Sequence, residues 1–210
     1  MCDRRRPQPS IEVASIVGQA PRRPKEDVIL RTALDILRME GDRGLTMRAL
    51  AAKAGMSLSN VQYYFRNKDV LLVALVEDYF DDCVDVIRQI ASATDAGADR
   101  DERVRQFFTT MLKGSREMVE MCAIFREFWA IATRNRAVAR TLDHYYRRYA
   151  DILCGELFPN VVDERVRESI KLLIVPYLEG YSITGRALEK DPAEVAAMLS
   201  RLAASLCQPS

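Results

Sequence analysis

The run GMSLSNVQYYFRNKD, residues 55–69, gathers side chains that can form hydrogen bonds with nucleic acid. Leu58, Val61 and Phe65 follow the i, i+3, i+7 spacing of a helical stripe that packs on a core. The other side chains lie off that stripe and carry hydroxyls, amides or phenols: Ser57, Ser59, Asn60, Gln62, Tyr63 and Tyr64. Asn and Gln amides pair with adenine in the major groove, while tyrosine hydroxyls and the Lys68 ammonium reach phosphates. The pattern therefore predicts a helix that reads DNA.

Two short helices joined at a glycine must hold this segment in place. Thr46 predicts an N-cap for MRALAAKA, and Gly55 ends that helix where the turn needs a positive φ. Ser57 then caps LSNVQYYF. A short helix, a glycine-containing turn and a second short helix, placed behind a longer first helix, are typical of a helix-turn-helix head.

The periodicity along the rest of the chain is also helical, and no alternating apolar pattern is long enough for a strand. We therefore predict an all-α fold of about nine helices, with a three-helix head and a larger helical body. The expected helices cover 25–41 or 25–44, 47–54, 58–65, 67 or 68 to about 90, 101–118, 121–133, 136–157, 163–188 and 192–206.

The stretch LTMRALAAKAGMSLSNVQYYFRNKDVLL resembles the DNA-binding domain of TetR-family transcriptional regulators. Residues that match that family in type and order are Thr46, Arg48, Ala51, Gly55, Ser57, Tyr63, Tyr64, Phe65 and Lys68. The resemblance covers about residues 25–72. At position 62, Gln replaces an aromatic residue that the family often keeps, so we expect an amide that reads bases there. The resemblance implies a ligand-responsive homodimeric repressor on a palindromic operator, dimerised through its last two helices, with transcriptional activation as the open alternative.

The sign of the net charge changes close to the residue at which this resemblance ends. Residues 1–68 hold 13 Lys and Arg against 7 Asp and Glu, a net charge of +6, and the remaining residues hold 18 against 23, a net charge of −5. A basic head on an acidic body is expected of a protein that binds nucleic acid. We predict a disordered arm at 1–24, a DNA-binding domain at 25–70, and an effector-binding and dimerisation domain at 71–210.

The resemblance also implies a small-molecule pocket among the body helices. Methionine and aromatic residues at helical spacing are its candidate lining, although such stripes also form plain core: Met118, Met121, Phe125, Phe128, Trp129, His144, Tyr145, Tyr149, Tyr177 and Tyr181. The segments FREFWAIATRNRAV and LDHYYRRYADIL resemble the choline-responsive BetI-type branch of the family. That likeness implies a cation held by aromatic rings and a carboxylate such as Glu127 or Glu179. An apolar or aromatic neutral effector stays open.

Several function classes find no support in the sequence. The five cysteines are dispersed and there is one histidine, so we expect no metal, no cofactor and no disulfide framework. The sequence contains no nucleophile elbow or phosphate loop that would indicate an enzyme. An all-α enzyme and a protein-binding helical adaptor are the remaining alternatives, and the basic head argues against the adaptor. No apolar run approaches the roughly 20 residues of a membrane span, and the N-terminus does not resemble a signal peptide, so we expect a cytoplasmic protein.

Overall fold

The computed structural model describes residues 24–94, 97–113, 116–188 and 191–207. In those ranges the chain forms nine helices and no strand, which confirms the all-α prediction. The helices are α1 (Pro24–Gly44), α2 (Met47–Lys53), α3 (Leu58–Tyr64), α4 (Lys68–Ser92), α5 (Arg100–Lys113), α6 (Arg116–Ala132), α7 (Arg136–Leu157), α8 (Glu164–Leu188) and α9 (Pro192–Leu206). The arm predicted for 1–24 lies outside the described residues, except for Pro24, which begins α1.

Local capping chemistry sets the two short helices of the head. The Thr46 hydroxyl accepts a hydrogen bond from the Ala49 N–H at 3.1 Å, and the Ser57 hydroxyl accepts one from the Asn60 N–H at 3.2 Å. Each bond satisfies a backbone donor that has no partner within the helix. Gly55, between the two helices, has the positive φ of 66° that its turn was predicted to need. The second and third helices therefore begin at the predicted caps.

The first helix bends near its C-terminal end. Gly41 interrupts α1 with φ 67° and ψ −173°, and the chain then continues to Gly44. This backbone conformation is essentially restricted to glycine, because a Cβ atom would strain it. Both predicted ends of the first helix therefore correspond to a feature of α1, since it bends at Gly41 and ends at Gly44.

The body is a bundle in which α4 packs along α7 and α5 packs along α9. Polar contacts add to the apolar packing. The Arg148 guanidinium of α7 lies 2.6 Å from the Asp81 carboxylate of α4. The Ser200 hydroxyl of α9 donates to the Asp101 carbonyl of α5 at 2.9 Å. No helix among the described residues is long and apolar enough to cross a bilayer.

Two predicted boundaries, one between the fifth and sixth helices and one between head and body, do not coincide with the ends of helices in the structure. We expected one helix over 101–118 and the next over 121–133, but α5 ends at Lys113 and α6 begins at Arg116. The missed signal is the Gly114–Ser115 pair, which combines a helix breaker with a residue favoured at N-caps. The division predicted between residues 70 and 71 falls inside the continuous helix α4, so it stays a prediction about function rather than about secondary structure.

Candidate DNA-reading face and effector cavity

The third helix presents two distinct faces. Val61 and Phe65 are buried and Leu58 packs partly against the same core, as the stripe predicted. Ser57, Ser59 and Gln62 are exposed, and Asn60 is half-buried. The Tyr63 side chain is 75% exposed, which is unusual for a large aromatic residue. The helix therefore offers hydroxyl, amide and phenol groups to an outside partner.

Two predicted DNA contacts have an additional structural role. Tyr64 packs partly against the core, with its ring edge-on to Tyr63 at a centroid distance of 5.2 Å. The Lys68 ammonium lies 2.7 Å from the Asp42 carboxylate and donates to the Asp42 carbonyl at 2.6 Å. Lys68 thus ties the start of α4 to the end of α1. Its predicted phosphate contact stays a prediction.

Other basic groups of the head face solvent. Arg48 on α2 is exposed, as is Thr46 at the cap of that helix. Arg66, directly after the third helix, is also exposed, and the sequence analysis did not name it. Its signal was available, because a basic residue that follows a recognition helix lies near the phosphates on either side of the groove.

The body encloses a cavity of about 650 Å³ between α4, α5, α6, α7 and α8. Five predicted pocket residues line it: Met121, Phe125, Tyr145, Tyr149 and Tyr181. Rings form much of its wall, since Tyr145 stacks on Phe80 and on Tyr149. Gly185 also borders the cavity, and a Cβ atom there would lie 2.8 Å from the Tyr181 ring. The space matches the size of small-molecule sites in proteins.

The structure places the other predicted pocket residues elsewhere. Phe128 is fully buried against Tyr79 and Phe80, so it belongs to the core. His144 lines a separate depression between α4 and α7 and not the main cavity. Trp129 borders a neighbouring cleft, and Tyr177 stacks on Tyr181 without lining the cavity. The side chain of Met118 lies outside the described residues.

The pocket prediction omitted several lining residues, among them Cys83, Val86, Ile87, Met111, Leu112, Cys122, Arg126, Leu178 and Ser182. Of the two carboxylates considered for a cation, Glu179 lines the cavity, whereas Glu127 approaches Gly41 at the end of α1. Burial raises the pKa of the Glu179 carboxyl, and a hydrogen bond from Tyr146 offsets part of the rise. Burial also raises the pKa of the Cys83 and Cys122 thiols, which keeps both protonated.

Comparison with known proteins identifies the family. Residues 29–75 match the family described as bacterial regulatory proteins, tetR family. An HTH-type transcriptional regulator in the dhlA 5′ region of Xanthobacter autotrophicus is 42% identical over 167 residues, which span 80% of this chain and 82% of that protein. The chain belongs to the TetR family of transcriptional regulators. As a TetR-family member it is a DNA-binding transcriptional regulator and not an enzyme.

Two further relatives agree with this assignment. The HTH-type transcriptional regulator BetI of Rhizobium meliloti is 29% identical over 161 residues, which span 75% of this chain and 77% of that protein. The solved structure of the transcriptional regulator SCO7518 from Streptomyces coelicolor shares the fold, with a TM-score of 0.69 and 23% identity over 89% of this chain and 100% of that chain. The TetR-like fold therefore extends over head and body together.

Proposed function

We propose that this TetR-family protein is a homodimeric repressor that acts in the cytoplasm on a palindromic operator and releases it when a small molecule binds the body. The observation that supports the DNA-binding part most directly is the division of α3, with Val61 and Phe65 buried while Gln62 and Tyr63 are exposed. A helix that packs on one side and is polar on the other suits the major groove.

We assign separate tasks to the side chains of the head. Asn60 and Gln62 read base edges, because their amides can pair bidentately with adenine. Arg48, Tyr63 and Arg66 contact phosphates, which set the register without reading sequence. The hydroxyls of Ser57 and Ser59 lie 3.0 Å apart at the start of α3, where small side chains permit close approach to the duplex. Lys68 positions the head through Asp42, and the cap residue Thr46 orients α2.

Two copies of α3 would enter successive major grooves about one helical turn apart, roughly 34–36 Å. We propose that α8 and α9 hold the two protomers together. Each of these helices carries large apolar side chains on its surface, among them Leu172, Ile183, Met198 and Leu202. Exposed apolar side chains of this kind would be removed from water if these helices packed against their copies in a second protomer.

The route from the cavity to the head runs through α6. Met121, Cys122 and Phe125 on this helix line the cavity. Toward its C-terminal end, Glu127 approaches Gly41 of α1, and after the helix the Arg134 guanidinium lies 4.0 Å from the Asp42 carboxylate. A ligand that favours another position of α6 would therefore shift the head. The affinity lost for DNA equals the ligand's preference between the two states, typically about 1–3 kcal/mol.

The test begins with selection of the preferred operator from a random DNA pool, followed by equilibrium binding over a range of salt concentrations. Arg48→Ala should weaken binding to all sequences alike and reduce the magnitude of the salt slope by about two per dimer, one phosphate contact per protomer. Gln62→Ala should instead relax the preference at particular base pairs, by about 1–3 kcal/mol for each lost bidentate contact.

Arg88→Ala is the matched control, since Arg88 is an exposed arginine of α4 that pairs with Asp85 in the body. It should leave affinity and salt slope unchanged. Selection of no common sequence, or an unchanged base preference in both Gln62→Ala and Asn60→Ala, would contradict the assignment of α3. Transcription from a promoter that overlaps the operator should fall when the protein is added, and a rise would make it an activator.

A further inference from the structure

Glu179 occupies a position in the body that no other described carboxylate shares. It lines the main cavity and also the adjoining cleft of about 610 Å³ on the side of Trp129. Glu179 stands in the wall that the two spaces share, together with Cys122, Phe125, Arg126, Ser182 and Ile183. A molecule that enters from either side meets this carboxylate.

A chain of hydrogen bonds holds the carboxylate in place. The Trp129 indole N–H donates to the Tyr146 hydroxyl at 3.0 Å, and that hydroxyl donates in turn to Glu179. A hydrogen bond donated to the ionised carboxylate lowers the pKa of Glu179, whereas burial raises it. Burial raises the pKa of Tyr146, so its hydroxyl remains a donor at physiological pH. Glu179 is therefore oriented by the protein and keeps accepting capacity toward the cavity.

The charge of Glu179 is not compensated within the described part of the chain. No lysine or arginine there forms an ion pair with it, and no cation contributes to its pKa. The basic residues that line the two spaces, Lys113, Arg126 and Arg147, have exposed side chains, whereas Glu179 is half-buried. A partly buried carboxylate without a cationic partner is costly, and a bound cation would remove that cost.

The remaining wall suits the same ligand. Phe125, Tyr149 and Tyr181 bring their rings to the cavity, and Tyr145, stacked between Phe80 and Tyr149, also lines it. Aromatic faces attract a cation through the ring quadrupole, and they also bury its apolar substituents. We propose that the effector is an organic monocation, an amine or quaternary ammonium with an apolar or aromatic body, whose charge rests against Glu179. This inference rests on the proposed ligand-responsive function and names the ligand class of its cavity.

The experiment uses the full-length protein without DNA and compares matched probes. Phenyltrimethylammonium and tert-butylbenzene have the same shape and differ in the charge of one central atom, while benzenesulfonate carries the opposite charge. Trp129, the only tryptophan of the chain, reports on binding through its bond to Tyr146, and calorimetry gives an independent measurement. We expect the cation to bind at least about tenfold more tightly than its neutral isostere.

Variants then show which side chain causes the preference for the cation. Glu179→Gln keeps the side-chain shape and should abolish the preference for the cation while leaving tert-butylbenzene affinity unchanged. Glu168→Gln is the control, because it neutralises a carboxylate of the same helix that pairs with Lys171, and it should change neither affinity. Circular dichroism verifies that each variant is folded. The comparison of probes on the wild-type protein tests the proposal even if a variant does not fold.

Three results would overturn the proposal: equal affinity for the cation and its isostere, tighter binding of benzenesulfonate, or no binding of any probe at millimolar concentration. Operator binding is measured separately on the same preparation. Selective operator binding without a cation preference would reject the ligand class and leave the proposed function standing. A cation preference without operator binding would reject the proposed function instead.

Discussion

Glu179 illustrates how one side chain can lower stability in favour of binding. Burial raises the pKa of its carboxyl above the ordinary value, although Tyr146 donates a hydrogen bond to it. The folded chain therefore holds that proton more tightly than the unfolded chain does. It follows that this residue lowers the free energy of unfolding as pH rises through the raised pKa. Sites that bind ligands often carry such a cost.

We predict that Glu179→Gln raises the free energy of unfolding at pH 8 and that the gain disappears below about pH 4, where the carboxyl is protonated in both states. Denaturant unfolding at several pH values measures this difference. The groups around Glu179 do not obscure it. Burial raises the pKa of the nearby phenols and thiols of Tyr145, Tyr146, Tyr149, Cys83 and Cys122, and Arg126 stays charged.

Glu168→Gln is again the reference, since Glu168 is exposed and paired with Lys171. Its pH profile of stability should not show a gain at pH 8. A Glu179→Gln protein less stable than wild type at pH 8 would mean that the Tyr146 hydrogen bond outweighs the burial.

At the scale of the elements, Asp42 joins the head to the body. It lies between the bend of α1 at Gly41 and the end of that helix. Its carboxylate pairs with Lys68 at the start of α4 and approaches Arg134 before α7. A second junction lies close by, where the Asn135 side chain donates to Asp69 of α4 at 2.7 Å. These contacts connect the position of α4 to both the head and α6.

A double-mutant cycle with Asp42→Asn and Lys68→Met should give a coupling free energy of roughly 0.5–1 kcal/mol toward stability, because both groups are about one-third exposed. The control cycle uses Glu40→Gln and Lys53→Met, which break a longer and more exposed pair between α1 and α2. Its coupling should be smaller, below about 0.5 kcal/mol. Equal couplings in urea unfolding would remove the special role of Asp42.

At the scale of the whole molecule, the outer surface of α8 and α9 suits the proposed assembly. Leu172 is 73% exposed and Leu202 is 45% exposed on these helices. Exposed apolar side chains on two adjacent helices favour association, because water is removed from them when a second copy packs there. In a two-fold interface each side chain would be buried twice, so a single substitution acts twice.

Leu202→Glu and Leu172→Glu should each raise the dimer dissociation constant by about tenfold or more, since a charge must be desolvated on both protomers. Sedimentation velocity over a range of concentrations measures this change. Met39→Glu is the control, because Met39 is 77% exposed on α1, away from the last two helices. A dimer that survives both substitutions would place the interface on another face.

Much of the head could be predicted because its signals are local. A hydroxyl cap depends on the backbone three residues ahead, so the caps Thr46 and Ser57 could be identified from the sequence. Gly55 could be predicted because the turn needs a positive φ at that one residue, which glycine adopts most readily. The stripe of α3 follows from helical period alone. The local signals that were missed are Arg66 after the third helix and the Gly114–Ser115 pair between the fifth and sixth helices.

The cavity could be predicted only in part, for a physical reason. Helical spacing indicates that Phe125 and Phe128 are both apolar positions of α6, but it does not indicate which of them faces a void. That depends on the packing of α4, α7 and α8, which is set by contacts far apart in sequence. Tyr79 and Phe80 pack against both rings, but only Phe125 also borders the cavity.

By itself, then, the sequence determined that this protein is helical, where its DNA-reading helix begins and which of that helix's side chains face outward, because capping and periodicity act within a few residues. The tertiary structure alone decided that Lys68 is held by Asp42, that His144 and Trp129 lie outside the cavity, and that Glu179 lies in its wall. These placements depend on how whole helices pack against one another, and no local pattern encodes that.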